Sequence, residues 1–532
     1  MEQLSVQKRI FIAVLLTFAF FIAYDYFYLS KFQVPENNAT GALIDKQSRN
    51  TEALVNEAPN AKNDKVAPAK AVNKRNVITQ IKGKIANFSI DDLGRINSYV
   101  LNESKYKNDD KMQIDLVDLS KSPLPLEMRF SDPDLNELAF KTPYVASASN
   151  LDITKNEQNL VLTQNLGDVL VTKNITFYPN GSYKISVQLN KNAEFFIAPG
   201  SRPNIVVDGY TVHGVLIRKD DESLKMFEDG DVDSNENIQN ANIAAASDRY
   251  YTTFFYDFTN KLNLVISSDS DKVSQIFAKA DKTFEAGGFI GPKHYDLLTG
   301  IDKRLSDVIE YGWFTFISKP MFGFLKWLHN YTGNWGWAIV IMTLIVRAIL
   351  YPLSYKGMLS MNKMKDLAPK MKELQARYKG DPKKLQTSMM ELYKKNNVNP
   401  MGGCLPILLQ VPIFFAIYRV LLNAIELKGA EWAFWIHDLS VKDPYFILPI
   451  TMGILMFLQQ KITPTNFTDP MQEKIMKFLP LIFTFFFMAF PAGLTLYWTV
   501  NNLASIIQQY TINKMFAKHK AAIKEEKNES RS

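Results

Sequence analysis

Arg347 stands inside an apolar run, Thr343-Leu344-Ile345-Val346-Arg347-Ala348-Ile349-Leu350, seven residues before the run ends at Ser354. A charge at the centre of a membrane-depth helix costs about 2.5–3.5 kcal/mol on insertion scales, so it needs water, a partner or an escape route. A water-filled cavity facing the interior of a helical bundle meets that need. Snorkelling over about 10 Å to the cytoplasmic headgroups is the rival. Thr343 lies one helical turn above Arg347, Gln410 interrupts a second apolar run, and Asn501, Asn502 and Ser505 interrupt a third. Together they suggest a hydrophilic groove within a bundle; singly, each reads as an interhelical hydrogen bond. Nothing in these residue types selects an ion or a small solute.

Covalent chemistry has no comparable signal. His213, His294, His329, His437 and His519 are scattered without metal-ligand spacing, so neither a metal nor another cofactor is expected. There is no phosphate-binding loop, nucleophile elbow or dinucleotide fingerprint, and Cys404, the one cysteine, has no base in its neighbourhood and no disulfide partner. The chain is not expected to be an enzyme. The net charge of +7 does not point to nucleic acid, because the basic residues collect beside apolar spans and form no stripe with aromatic partners.

The elements that must position Arg347 are membrane spans. Ile10 to Leu29 follows Lys8 and Arg9 and reads as an uncleaved anchor, a cleaved signal peptide being the alternative. Further spans are expected at Trp335 to Ser354, Pro400 to Leu422, Tyr445 to Gln460, Ile475 to Phe490 and Gly493 to Tyr510. After the second comes a loop with Lys356, Lys363, Lys365, Lys370, Lys372, Arg377, Lys379, Lys383, Lys384, Lys394 and Lys395, opposed by Asp366, Glu373, Asp381 and Glu391. That excess places the loop, and with it both termini, in the cytoplasm. Some spans are short: Tyr445 to Gln460 has 16 residues, against roughly 20 for a full hydrocarbon core. Snorkelling or local thinning of the bilayer makes up the difference.

The intervening chain divides into further parts. Residues 31–72, rich in Asn, Ala, Lys and Pro, read as a flexible tether. Residues 73–312 alternate with period two between turn signals and predict an exported antiparallel β-sandwich, with a two-residue hairpin turn at Asn180-Gly181. Residues 313–332 predict an amphipathic helix on the outer membrane surface, with Ser318 as N-cap and Pro320 in its first turn; packing under the sandwich is the alternative. The five-span core covers 333–512. Its cytoplasmic hairpin, 356–397, carries a seam of Met358, Met361, Met364, Leu367, Met371 and Leu374 answered by Leu385, Met389 and Leu392. The seam packs helix on helix or offers an adaptable apolar surface. A basic tail, 513–532, closes the chain. The fold class is a polytopic α-helical membrane protein of six transmembrane helices with a large all-β domain outside the cytoplasm.

Thr343 to Leu353 (TLIVRAILYPL), Asn399 to Tyr418 (NPMGGCLPILLQVPIFFAIY), Trp435 to Ile450 (WIHDLSVKDPYFILPI), Thr468 to Pro480 (TDPMQEKIMKFLP) and Pro491 to Gln509 (PAGLTLYWTVNNLASIIQQ) resemble the YidC/Oxa/Alb family of membrane protein insertases. The layout of anchor and sandwich agrees with the long form of that family in bacteria with two membranes. The resemblance implies an inner-membrane protein with residues 31–332 in the periplasm. It also implies a groove, open to cytoplasm and lipid, that receives hydrophilic parts of nascent inner-membrane proteins. Its groove arginine, threonine and glutamine correspond to Arg347, Thr343 and Gln410, and a substrate-contacting aromatic, often Tyr in relatives, to Trp498. The partners it implies are client proteins, the Sec translocon and, through the basic tail and hairpin, ribosomes; membrane lipids surround the bundle. A transporter or channel with Arg347 at an anion site or gate is the runner-up, and it would want inverted repeats that the sequence does not display. A carbohydrate-related role for the sandwich rests on fold analogy alone.

Overall fold

The computed structural model describes residues 75–107, 112–203, 205, 213–396, 398, 405–463 and 470–529. The expected first span, the tether and Cys404 lie outside the described residues. Two compact units emerge, one ending at Ile309 and one containing Glu310 onward.

The first unit is almost wholly β, in one four-stranded and one thirteen-stranded sheet. Gln158–Leu166, Val169–Phe177 and Ser182–Leu189 alternate buried and more exposed positions, as period-two sequence requires of strands with one covered face. Phe88 of the small sheet lies 5.1 Å from Phe177 of the large one, so the sheets meet through an aromatic contact. Val169–Phe177 pairs antiparallel with Ser182–Leu189, but the connection is longer than the two-residue turn expected. The Gly181 N–H donates to the Tyr178 carbonyl at 3.1 Å, and Gly181 has φ of +83°. Pro179 presets the first central position of a type I turn, and that turn needs an added left-handed residue to match strand twist.

Charged side chains are buried in this unit. Arg95 donates to Asp91 Oδ2 through Nε and Nη2 (2.9 and 2.7 Å) and to Glu127 Oε2 through Nη1 (3.1 Å). Glu127 Oε1 also accepts from Arg129 Nε and Nη2 at 2.9 and 2.8 Å. Lys173 donates to the carbonyls of Gly94 and Leu126 at 3.1 and 2.8 Å and sits 4.7 Å from the centre of the Tyr144 ring.

The second unit is helical: α1 (Thr315–Thr332), α2 (Trp335–Ile349), α3 (Tyr351–Arg377), α4 (Pro382–Lys395), α5 (Leu405–Asn423), α6 (Ile447–Ile462), α7 (Pro470–Phe487) and α8 (Ala492–Glu529). Helix α8 is central, packing on α2, α3, α5 and α6. Gly453 on α6 admits α7 closely: a Cβ there would lie 1.9 Å from Thr484 Oγ1. Among the described residues no single helix is long and apolar enough to cross a membrane, but α2 and α3 qualify together as a pair bent by 62°.

Three expectations about these helices need correction. Helix α1 begins at Thr315, so Ser318 is not its cap and Pro320 lies inside it. Buried Ser318 instead donates to the Ala416 carbonyl of α5 at 3.2 Å, a tertiary bond that outcompetes the local one. The face of α1 holding Phe322, Leu325 and Leu328 is buried, while Phe316, Trp327 and Tyr331 are exposed. The run predicted to end at Ser354 breaks at Leu350, because Pro352, lacking an N–H, is accommodated in the first turn of a new helix. The expected tail is not a separate segment: α8 runs on to Glu529, since no Gly or Pro follows Gly493 in that stretch to stop it.

Helices α3 and α4 close on their own seam. Leu367, Met371, Tyr393 and Val398 form a buried cluster with Met364, Met389 and Leu392 against it. Gly380, at φ of +105°, makes the tight turn between them. Asn362 Nδ2 donates to Asn513 Oδ1 at 2.9 Å and Lys520 pairs with Asp366 at 2.7 Å, tying α3 to the far half of α8.

Candidate functional site

The break at Leu350 shortens α2, so Arg347 occupies its last helical turn and not a position seven residues from the end. A cation there meets the negative end of the helix dipole and the carbonyls left free by the break. Arg347 is half-buried and reaches α8, where its Nε donates to Asn501 Oδ1 at 2.6 Å and its Nη2 to the Asn501 carbonyl at 3.3 Å.

A small cavity of about 20 Å³ adjoins this contact, lined by Thr343, Val346, Arg347 and Leu350, by Leu353 and Ser354 of α3, by Gln410 and Ile413 of α5, and by Tyr497 and Asn501 of α8. Its walls mix aliphatic side chains with two amides, three hydroxyls and one guanidinium. Such a lining hosts water and polar backbone yet borders apolar surface.

Of the residues singled out from sequence, the structure brings Arg347, Thr343, Gln410 and Asn501 together around this cavity. The Thr343 hydroxyl is engaged within its own helix, donating to the Ile339 carbonyl at 2.7 Å. Ser505 is buried one turn beyond Asn501 and donates to its carbonyl at 2.8 Å, so it supports the lining without joining it. Asn502 is buried off the cavity with Nδ2 unpartnered among the described residues. Trp498 also lies off the cavity. Its ring packs on Phe414 of α5 at 4.6 Å and on Phe487 and Phe483 of α7 at 5.5 and 6.3 Å, an aromatic cluster joining three helices.

Tyr497 and Ser354 are the polar lining residues not anticipated. Tyr497 stands one turn before Asn501 and is only 2% exposed. Its i, i+4 spacing to Asn501 is the signal that could have found it. Ser354 could not be placed so, because its position depends on the bend at Leu350.

Family models match two regions: "60Kd inner membrane protein" over residues 327–520 and "YidC periplasmic domain" over residues 213–324. A protein of Campylobacter jejuni named membrane protein insertase YidC is 58% identical over 517 residues, covering 96% of this chain and 97% of its own. Namesakes in Wolinella succinogenes and Helicobacter pylori are 47% and 43% identical; they cover 98% of this chain in each case, and 97% and 98% of their own lengths. With identity at this level sustained across both units, the chain belongs to the YidC family of membrane protein insertases.

Proposed function

We propose that this protein inserts nascent membrane proteins into the bacterial inner membrane through the cavity at Arg347. The observation that carries the reading is a guanidinium held in the last turn of a short apolar helix, beside polar space, with Nη1 unpartnered among the described residues. A hydrophilic client segment entering that space avoids bare hydrocarbon and crosses a thinner apolar barrier. The client's apolar segment then partitions sideways into lipid at about 25 cal/mol per Å² buried, a gain that needs no nucleotide hydrolysis.

The six-span topology with both termini in the cytoplasm is part of this proposal, supported by Lys8, Arg9 and the lysine-rich α3–α4 hairpin. Exposed Phe316, Trp327 and Tyr331 support a seat for α1 at the outer membrane surface. Basic α3, α4 and the end of α8 suit a ribosome at the cytoplasmic face, and family membership supports cooperation with the Sec translocon.

Arg347→Ala and Arg347→Lys test the groove. Each variant, at equal abundance in membranes, is given two single-span clients that differ only in an acidic or neutral translocated tail, and protease protection is scored. Arg347→Ala should lose the acidic-tail client first, by about tenfold, the worth of roughly one charge-assisted hydrogen bond. Arg347→Lys should retain most insertion. Equal insertion of both clients by Arg347→Ala at the unsubstituted level would refute the role of Arg347.

A further inference from the structure

Arg347 has five N–H donors, and those that are engaged all go to one residue, Asn501. Nη1 has no partner among the described residues, and no carboxylate among them pairs with the guanidinium. Asn501 is 4% exposed, so its amide is not a chance surface contact. Its carbonyl is shared: the Ser505 hydroxyl donates to it at 2.8 Å alongside Arg347 Nη2. Two points of one residue, side chain and backbone, therefore fix the plane of the guanidinium across the gap between α2 and α8.

The chemistry of that partner matters. A neutral amide oxygen satisfies Nε–H without cancelling the positive charge, and the fork edge bearing Nη1 stays available. A carboxylate binds such a fork in parallel bonds roughly twice as strong as neutral ones, so an arriving acidic group can engage it. An aspartate in place of Asn501 would instead supply that carboxylate from within and leave the cavity electrically neutral.

We propose that Asn501 is a positioning residue, a neutral internal ligand that orients Arg347 toward acidic groups of a passing client and thereby sets client selectivity. The proposal rests on the groove reading above. Its test uses the full chain at equal abundance in membranes, with the acidic-tail and neutral-tail clients scored by protease protection.

Asn501→Asp should reduce insertion of the acidic-tail client about tenfold more than insertion of the neutral-tail client. Asn501→Ala, which keeps the charge but frees its orientation, should reduce the acidic-tail client by about threefold, again selectively. Asn501→Asp added to Arg347→Ala should have no client-selective effect of its own, because the two act as one unit. A merely structural Asn501 would lower both clients alike, and that result in either variant overturns the proposal. If Asn501→Asp fails to accumulate, Asn501→Ala and the double variant decide the matter on the same criterion. Should Arg347→Ala show no acidic-tail defect, the groove reading falls and this proposal with it. A selective Arg347→Ala defect beside normal selectivity in Asn501→Asp removes the Asn501 role alone.

Discussion

Both units bury polar side chains, and they treat them differently. In the β unit Arg95, Asp91, Glu127 and Arg129 satisfy one another in a closed network, and Lys173 has two carbonyls and a ring. In the helical unit Arg347 keeps unused donors, and Asn502 Nδ2, Gln508 Nε2 and Trp498 Nε1 are buried without partners among the described residues. A buried polar group costs least when fully paired. The closed charge network is what a structural core requires, although the β unit also buries the Tyr183 and Tyr251 hydroxyls without partners among the described residues. What separates the units is the partner given to a buried cation: Arg95 and Arg129 have carboxylates, whereas Arg347 has a neutral amide and no carboxylate among the described residues.

The sharpest way to break this contrast is to open the closed network. Glu127→Gln removes the negative charge that Arg95 and Arg129 share and turns one of its two acceptor oxygens into an NH2 that faces a guanidinium donor, leaving Arg129 without a carboxylate and Arg95 with Asp91 alone. Destabilisation of about 3–5 kcal/mol is expected, seen as a lower thermal midpoint of the purified protein in detergent. A shift worth under about 1 kcal/mol would mean the network holds nothing.

A smaller effect follows from Lys173. Burial, the leading cause, pushes its ammonium down from 10.5 to about 7. Between those values the unfolded chain binds more protons than the folded one, so stability rises with pH. The contribution is fully present above the ordinary lysine value and is lost as pH falls through about 7. Thermal midpoints measured from pH 10 down to pH 6 should therefore decline, and Lys173→Met should flatten that slope. An unchanged slope in the variant would assign the trend to other groups.

The smallest expected effect lies in the bundle. Asn502→Leu removes an amide whose donor has no partner, so stability should change by less than about 1 kcal/mol or improve. A loss well above that, read by the same thermal assay, would show the amide to be paired.

How much of this was legible beforehand varies by residue. The β unit was readable as strands because period-two alternation is local, and the hairpin around Asn180-Gly181 was located, though Pro179 gave it a longer turn. Arg347 announced itself by being a charge in an apolar run, whatever its surroundings. Ser318 misled: Ser before Lys-Pro reads as a cap, yet its bond goes to Ala416, 98 residues away in sequence. Trp498 could be matched by motif, but its burial among Phe414, Phe483 and Phe487 depends on how three helices meet.

Sequence by itself determined the two regimes of the chain, the apolar runs, the Met-rich hairpin seam and the presence of a charge that hydrocarbon would not tolerate. These follow from periodicity, composition and transfer cost, which are properties of neighbouring residues. Only the tertiary structure decided that α2 stops at Ile349, that Arg347 faces Asn501 across 154 positions, and that Thr343, Gln410 and Tyr497 share one cavity while Asn502 and Trp498 do not. The physical reason is that a helix presents side chains in all directions, and which direction becomes interior is set by packing against helices encoded far away.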